Sequence, residues 1–288
     1  MQSDSAEIKP AQCCIKLVFY LTCSEFFKTA WDLIKHDPLQ IINLMYIEGK
    51  MTGRQLQRLI VCLPKKTNSQ YVEDYRPLTL VNTDCKILAR TTANRLRPCM
   101  TEILHPNQHG GVQGDSVFDA VAAIREGIAY AEVTRIPLCI VSIDFSAAFD
   151  KISHSYLTST LHSKGFSDWI QTRIMRLYDK AASEVQINGF RYSLIQINSS
   201  LREGCPLSMQ LFVICLNQLI QTLEEELKGI QIGRGQSKTA VIAYADDVTI
   251  FLTTSDDVRK LQEILLTYEA ATGAKVNTRK SRALALGT

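Results

Sequence analysis

Val241-Ile242-Ala243-Tyr244-Ala245-Asp246-Asp247-Val248-Thr249-Ile250-Phe251-Leu252 is two apolar runs joined by a pair of adjacent carboxylates. Valine, isoleucine, tyrosine, threonine and phenylalanine suit extended backbone, so the stretch reads as a β-hairpin with its acids at the turn. Ionised carboxylates about 4 Å apart repel by roughly 4 kcal/mol at an effective dielectric of about 20. A pair flanked by buried strands is therefore protonated, ion-paired or bound to a cation. The competing reading is a solvated turn, which aspartate suits as well.

A second β-rich run, Pro137-Leu138-Cys139-Ile140-Val141-Ser142-Ile143-Asp144, also ends at an aspartate. Magnesium takes hard oxygen ligands in octahedral geometry, commonly one or two protein carboxylates together with substrate phosphates. Asp144, Asp246 and Asp247 can supply such a site. Two ions about 3.5 to 4 Å apart would activate an attacking hydroxyl and stabilise the leaving oxygen of a phosphoryl transfer. The chemistry suggested is nucleotide addition with two Mg2+ ions, Mn2+ being a substitute.

Further blocks stand in order along the chain. Leu63-Pro64-Lys65-Lys66 precedes Asp74-Tyr75-Arg76-Pro77-Leu78 and Ala93-Asn94-Arg95-Leu96, and Asn107-Gln108-His109-Gly110 with Gly114 follows. Then come Ile143-Asp144 through Phe149-Asp150-Lys151, Gly204-Cys205-Pro206-Leu207-Ser208, and Gly229-Ile230-Gln231-Ile232-Gly233. Tyr244-Ala245-Asp246-Asp247 and Gly273-Ala274-Lys275-Val276-Asn277 through Lys280-Ser281 complete the series. Together these blocks resemble the reverse transcriptase of a non-long-terminal-repeat, LINE-type retrotransposon. The likeness covers about residues 24 to 286, and the first 23 residues do not share it.

The resemblance implies an α+β fold, the fingers and palm of a right-hand polymerase, with a small antiparallel sheet packed on helices. Fingers would fall at about 24–82 and 165–198, and palm at about 83–164 and 199–288, with 1–23 a separate segment. The implied activity is RNA-directed DNA polymerisation, two-metal transfer of deoxynucleotides onto a primer 3′-hydroxyl. The implied partners are an RNA template, a DNA primer and deoxynucleoside triphosphates. Asp144, Asp246 and Asp247 would be the catalytic carboxylates, joined at the metals by the main-chain carbonyl of Phe145. Arg76 takes the position of an arginine that clamps the triphosphate, where a planar guanidinium suits bidentate contacts. Lys65 is a second phosphate contact or a plain surface lysine. Phe149 takes the place of a bulky side chain beneath the sugar, or else is a core aromatic. Gly204 permits close backbone approach to template or nucleotide, and Pro206 fits a first helical turn. Lys280, or Lys275, matches a proton donor to the leaving pyrophosphate, and a solvated lysine reads the same way. Gln108, Gly114, Pro206, Ser208 and Tyr244 fall at template and primer contacts.

Some positions depart from the family pattern. Glu203 stands where a glutamine usually precedes Gly-Cys-Pro, Gln113 and Asp115 replace proline and arginine, and Met209-Gln210 replaces Pro-Leu. The charge changes point to weakened template binding. The likeness ends soon after Ser281 and lacks an upstream endonuclease, so the expected molecule is a fragment with its thumb missing and poor processivity. The alternative function is a catalytically dead palm acting as a nucleic-acid-binding module. An RNA-directed RNA polymerase is a weaker rival.

Composition agrees with a globular enzyme: 46% hydrophobic residues and a mean hydropathy of −0.01 provide material for a large core. Net charge is only +3, yet Lys50 to Arg97 holds ten basic residues against three acids, a balance suited to tracking phosphates. Nine scattered cysteines without metal-ligand spacing read as reduced thiols. The apolar run Ile15–Leu21 is too short to span a bilayer, so the expectation is an intracellular protein, cytoplasmic or nuclear, away from membranes. Helices are expected at Ser24 to Ile34 with Phe26, Phe27, Trp31, Leu33 and Ile34 in the core, and from Pro38 to Glu48. Others are expected over Cys85–Leu96, from Asp115 or Ser116, near 153–163 and 167–179, over Leu207–Leu227, and from Ser255 with Val258, Leu261, Ile264, Leu265 and Tyr268 buried. Strands are expected at Leu56–Leu63, 137–144, 183–188 and 190–197, the last two joined by Asn188-Gly189.

Overall fold

The computed structural model of the chain describes residues 24–48, 51, 58–67, 71, 74–146, 148–178, 182–187, 189–196, 199–232 and 237–287. The expected non-matching segment 1–23 and Asn188 lie outside them. Helices and sheets mix in an α+β arrangement of two units, each discontinuous in sequence. The first takes the described residues up to Thr92 with Ser167–Asn198 and Arg202–Pro206; the second takes Ala93–Phe166, Ser199–Leu201 and Leu207 onward.

In the first unit, Arg58–Pro64 (β1) pairs antiparallel with Tyr75–Leu80 (β2) and parallel with Ala182–Ile187 (β5), which forms a hairpin with Phe190–Gln196 (β6). The sheet order is β2-β1-β5-β6. Helices Ser24–Ile34 (α1), His36–Glu48 (α2) and Asp168–Arg176 (α6) accompany it, and Thr83–Leu96 (α3) runs on past the unit's edge. The expected core face of α1 is not realised throughout, because Trp31 is exposed and Leu33 is 88% exposed. At 100° per residue Leu33 lies well off the stripe through Trp31 and Ile34, and Ile42 and Met45 of α2 are buried instead. The side chains of Phe26, Phe27 and Ile34 lie outside the described set. One expected member of the basic surface is also internal. Arg58 is buried, its Nη2 donates to the Leu177 carbonyl at 2.6 Å, and burial, then the nearby Arg202 charge, push its pKa down to about 9.

The second unit is built on Leu138–Ile143 (β3). This strand pairs antiparallel on one side with Asp247–Leu252 (β10) and on the other with Arg282–Leu286 (β12), and β10 pairs with Val241–Tyr244 (β9). The order is β12-β3-β10-β9. Alternation divides the sheet's two faces. On one, Leu138, Ile140, Ile242 and Phe251 pack with Ala120 and Ala131 of the helix Val117–Thr134 (α4). On the other, Ile143, Val241, Ala243, Val248, Ile250 and Leu252 are buried, with Ser208–Glu226 (α7) and Ser255–Thr272 (α8) packed against β9 and β10. Every residue of α7 from Leu211 to Leu216 is at most 1% exposed, as expected of a helix that is apolar all round. Each such fully buried large side chain contributes about 1.5–3 kcal/mol. His154–Ser163 (α5) also packs on α7. A short pair, Phe145–Ser146 (β4) with Lys275–Val276 (β11), extends from the end of β3, and Ile230–Ile232 (β7) pairs with Ser237–Thr239 (β8). No helix among the described residues is long and apolar enough to cross a membrane.

The N-terminus of α8 shows how a local sequence fixes an element. Thr254 is the cap and accepts from the Asp257 N–H at 3.1 Å, and the Asp257 carboxylate accepts from Thr254 N–H at 3.0 Å, a capping box. The same carboxylate also accepts from Lys228 N–H at 2.9 Å and Thr253 N–H at 3.1 Å. Burial works to raise the Asp257 carboxyl, but these donors outweigh it and hold it below the ordinary range. Val258, expected in the buried face, is exposed, whereas Leu261 and Tyr268 are buried. Asp257→Ala should therefore lower stability by about 1–2 kcal/mol at neutral pH. A depressed folded pKa contributes stability above the unfolded value and loses it as pH falls through the folded one, so thermal melts of the two proteins should converge in acid.

Candidate active site

Asp144 follows β3 and Asp247 opens β10. Ile143 pairs with Val248, and one further step of that ladder sets Asp144 opposite Asp247. Directly opposed residues of an antiparallel pair hold their Cβ atoms about 4.5–5.5 Å apart. Both side chains belong to the face that carries Ile140 and Phe251, where apolar packing under α4 gives way to exposed Ser142 and Asp247.

The main chain of Asp144 is held on both sides. Its N–H donates to Ser281 Oγ at 3.2 Å, and its carbonyl accepts from the Asn277 N–H at 2.8 Å. Asn277 also accepts from the N–H groups of Lys280 and Ser281 through its own carbonyl, at 3.1 and 2.8 Å, so the turn Asn277–Ser281 is wound around this aspartate. The Oδ2 atom of Asp144 is buried and lacks a hydrogen-bond donor, with Lys280 Nζ 3.9 Å away. In an antiparallel ladder hydrogen-bonded and non-bonded pairs alternate. Because Asp144 and Asn277 form a bonded pair, Phe145 opposite Val276 turns its carbonyl away from β11.

Tyr244 pairs with Asp247, leaving Ala245-Asp246 as a two-residue turn. Ala245 adopts φ +54°, a left-handed conformation that costs a non-glycine residue roughly 1–2 kcal/mol. The amide of Gln108 closes on this residue: Oε1 accepts from Ala245 N–H at 2.9 Å and Nε2 donates to its carbonyl at 3.3 Å. Asp246 at the tip is exposed. Asp247 is pushed above the usual carboxylate range by partial burial and then by the charges of Asp246 and Asp144. Asp247 thus feels both neighbouring acids, yet among the described residues no three ligating side chains close into a metal-holding set. The donors themselves are hard oxygens, and the orphaned Asp144 Oδ2 gives a divalent cation a ready partner.

The remaining candidates have surroundings of their own. Gln108, expected at a template contact, is 1% exposed and its amide is bonded to the hairpin. Tyr244 packs against the α4 core, Ser208 is buried at the start of α7, Pro206 is half-buried, and Gly114 is exposed with φ +99°. Phe149 stacks on Phe212 with ring centroids 4.4 Å apart, which anchors it from the core side. In the first unit, Lys65 and Arg76 flank the β1–β2 loop, and Arg76, its side chain 64% exposed, lies 3.6 Å from Glu203. Gly204 comes close to β2: at φ +97°, an added Cβ would meet Leu78 and the Thr79 carbonyl at 3.2 Å. Lys275 pairs opposite Ser146. Sequence reading gave no role to Asn277 or Ser281; their presence in a block downstream of Lys275 was the available signal.

Solved structures share the fold. The apo telomerase of Candida tropicalis, truncated from its C-terminal domain, superposes with a TM-score of 0.57 at 11% identity, over 86% of this chain and 55% of that one. Residues 63–286 match the family model for reverse transcriptase (RNA-dependent DNA polymerase), and the chain belongs to that family. It is 30% identical over 264 residues to the Transposon TX1 uncharacterized 149 kDa protein of Xenopus laevis, covering 92% of this chain and 20% of that protein. It is 25% identical over 257 residues to the Pol polyprotein from type-2 retrotransposable element R2DM of Drosophila melanogaster, covering 88% and 24%. The kinship with retroelement reverse transcriptases expected from the ordered blocks is borne out. The chain spans about a fifth to a quarter of the length of these relatives.

The raised Asp247 pKa has a sign that can be checked. Ionising a carboxyl whose folded pKa exceeds its unfolded value costs stability; the cost is absent below the ordinary 3.8 and full above the folded midpoint. Asp247→Asn should melt higher than the parent at pH 7, and the gain should vanish as pH falls below that ordinary value.

Proposed function

We propose that this chain carries the catalytic chemistry of RNA-directed DNA synthesis, adding deoxynucleotides to a primer 3′-hydroxyl on an RNA template. The observation that carries the reading is that Asp144 and Asp247 leave the paired strands β3 and β10 at the same end, Asp247 feeling the charges of Asp246 and Asp144, with a buried Asp144 oxygen lacking a donor. On this reading the second unit is the palm and the first the fingers. Asp144, Asp246, Asp247 and the Phe145 carbonyl would hold the divalent cations. Bound there, such ions lower the pKa of an attacking hydroxyl and neutralise charge on the leaving oxygen. The clamp of Asn277 and Ser281 fixes where Asp144 stands. Lys280 is exposed beside it, in reach of anionic oxygens once the aspartate is otherwise neutralised. Phe149, backed by Phe212, presents a fixed aromatic wall suited to rejecting a 2′-hydroxyl. Arg76 and Lys65 are the phosphate-binding cations of the fingers.

Primer extension with an RNA template, deoxynucleotides and Mg2+ tests the reading. Asp144→Asn and Asp246→Asn should each lower incorporation by about 10³-fold, several kcal/mol of lost transition-state stabilisation, with the melting curve unmoved for Asp246→Asn. Incorporation that survives Asp246→Asn at the parent rate would overturn this site, and a parent protein that binds the template but incorporates nothing would leave a nucleic-acid-binding module without chemistry. A second outcome follows from the Arg76–Glu203 pair, since the carboxylate competes with a triphosphate for the guanidinium. Glu203→Gln should lower the KM for deoxynucleotide about two- to fivefold, the range of an exposed ion pair, with kcat unchanged.

A further inference from the structure

We infer that Gln108 is the positioning residue of the carboxylate hairpin: its buried amide holds Ala245 left-handed and thereby sets where Asp246 and Asp247 stand. The consequence for catalysis rests on the polymerase reading above; the geometry rests on hydrogen bonds alone. A side chain with one acceptor and one donor group is needed, because both polar groups of Ala245 are taken by the same residue. The Gln108 oxygen accepts a second bond, from Gly110 N–H at 2.8 Å, which locks the amide's orientation.

The segment that carries Gln108 is itself anchored. The Asn107 carbonyl accepts from Ala243 N–H and the Ala243 carbonyl accepts from His109 N–H, both at 2.8 Å, so this segment lies along the edge of β9. The Asn107 side chain donates to Glu224 of α7 at 3.1 Å, and that carboxylate also accepts from Ala240 N–H at 2.9 Å. At Gly110 any Cβ would lie 2.1 Å from the Ala245 nitrogen, so the segment and the turn are flush and the amide has no room to swing. Alanine at a left-handed position resists through its own Cβ. The turn therefore keeps its shape through Gln108, and losing the amide frees Asp246 and Asp247 to move.

The test uses the whole chain, with Mn2+ alone as the probe, read by electron paramagnetic resonance, and amide hydrogen exchange as a metal-independent readout. Gln108→Met fills similar volume without the hydrogen bonds. It should speed exchange at the Ala245 amide about tenfold or more and weaken Mn2+ binding about 10- to 100-fold, the range seen when an outer-shell partner is lost. Glycine takes positive φ freely, so Ala245→Gly added to Gln108→Met should recover most of the Mn2+ affinity. Gln108→Met with the parent's exchange rate and Mn2+ affinity overturns the inference. If Gln108→Met alone does not fold, the double variant is compared with Ala245→Gly, and equal exchange at position 245 overturns it equally. Parent protein that binds no Mn2+ sensitive to Asp247→Asn would sink the metal reading, and exchange at Ala245 would still decide the role of Gln108.

Discussion

Two aspartates held face to face across an antiparallel ladder are the constraint around which the second unit is arranged. Left to themselves, such charges would separate or take up protons. Here the register of β3 with β10 forbids separation, because sliding by one residue would turn every side chain to the wrong face and expose Ile143, Val248 and Ile250. The burial of those apolar residues against α7 and α8 thus does electrostatic work, keeping Asp144 and Asp247 opposed. Two backbone devices then remove the remaining freedom. The Asn277–Ser281 turn fixes Asp144 from one side, and Gln108 fixes the turn that leads into Asp247 from the other.

Much of this was legible in the sequence. Short apolar runs rich in β-formers, ending at acids, marked β3 and the β9–β10 hairpin, and a long apolar run marked α7. The acids were legible as well, since no apolar hairpin carries adjacent carboxylates without a reason. What escaped was the second tier. Gln108 was given a place at the template by resemblance alone, and only coordinates bring its amide onto a turn far along the chain. Leu33 and Val258 read as core because apolar character says nothing of how far a helix end lies from its neighbours. Arg58 read as part of a phosphate-tracking surface, yet its stem and charge are internal. The Gln108 and Arg58 misses are contacts between residues remote in sequence.

The departures from the family pattern behave alike. Glu203 lies within 3.6 Å of Arg76, and Asp115 lies 3.1 Å from the His109 ring. Each introduced acid has found a basic or protonatable partner within its own unit, so neither is left to unsettle the fold. The effect of such a pair is directed outward: a guanidinium or imidazole engaged with a carboxylate is less available to an anionic ligand.

The same division explains how a chain 11% identical to a solved telomerase keeps its fold. Backbone ladders constrain only the pattern of apolar and polar positions, and many side chains satisfy that pattern. The places with little latitude are those where backbone meets backbone or an amide serves two partners. At Gly110 the main chain touches Ala245, at Gly204 it touches β2, and at Gln108 one side chain closes both ends of a residue at positive φ. Substitution at these points would shift the elements that bear charge, whereas substitution within the apolar faces would mostly exchange one filling for another. The short motifs of this chain therefore cluster at backbone junctions around the acids, and the acids are the visible part of a larger set of geometric requirements.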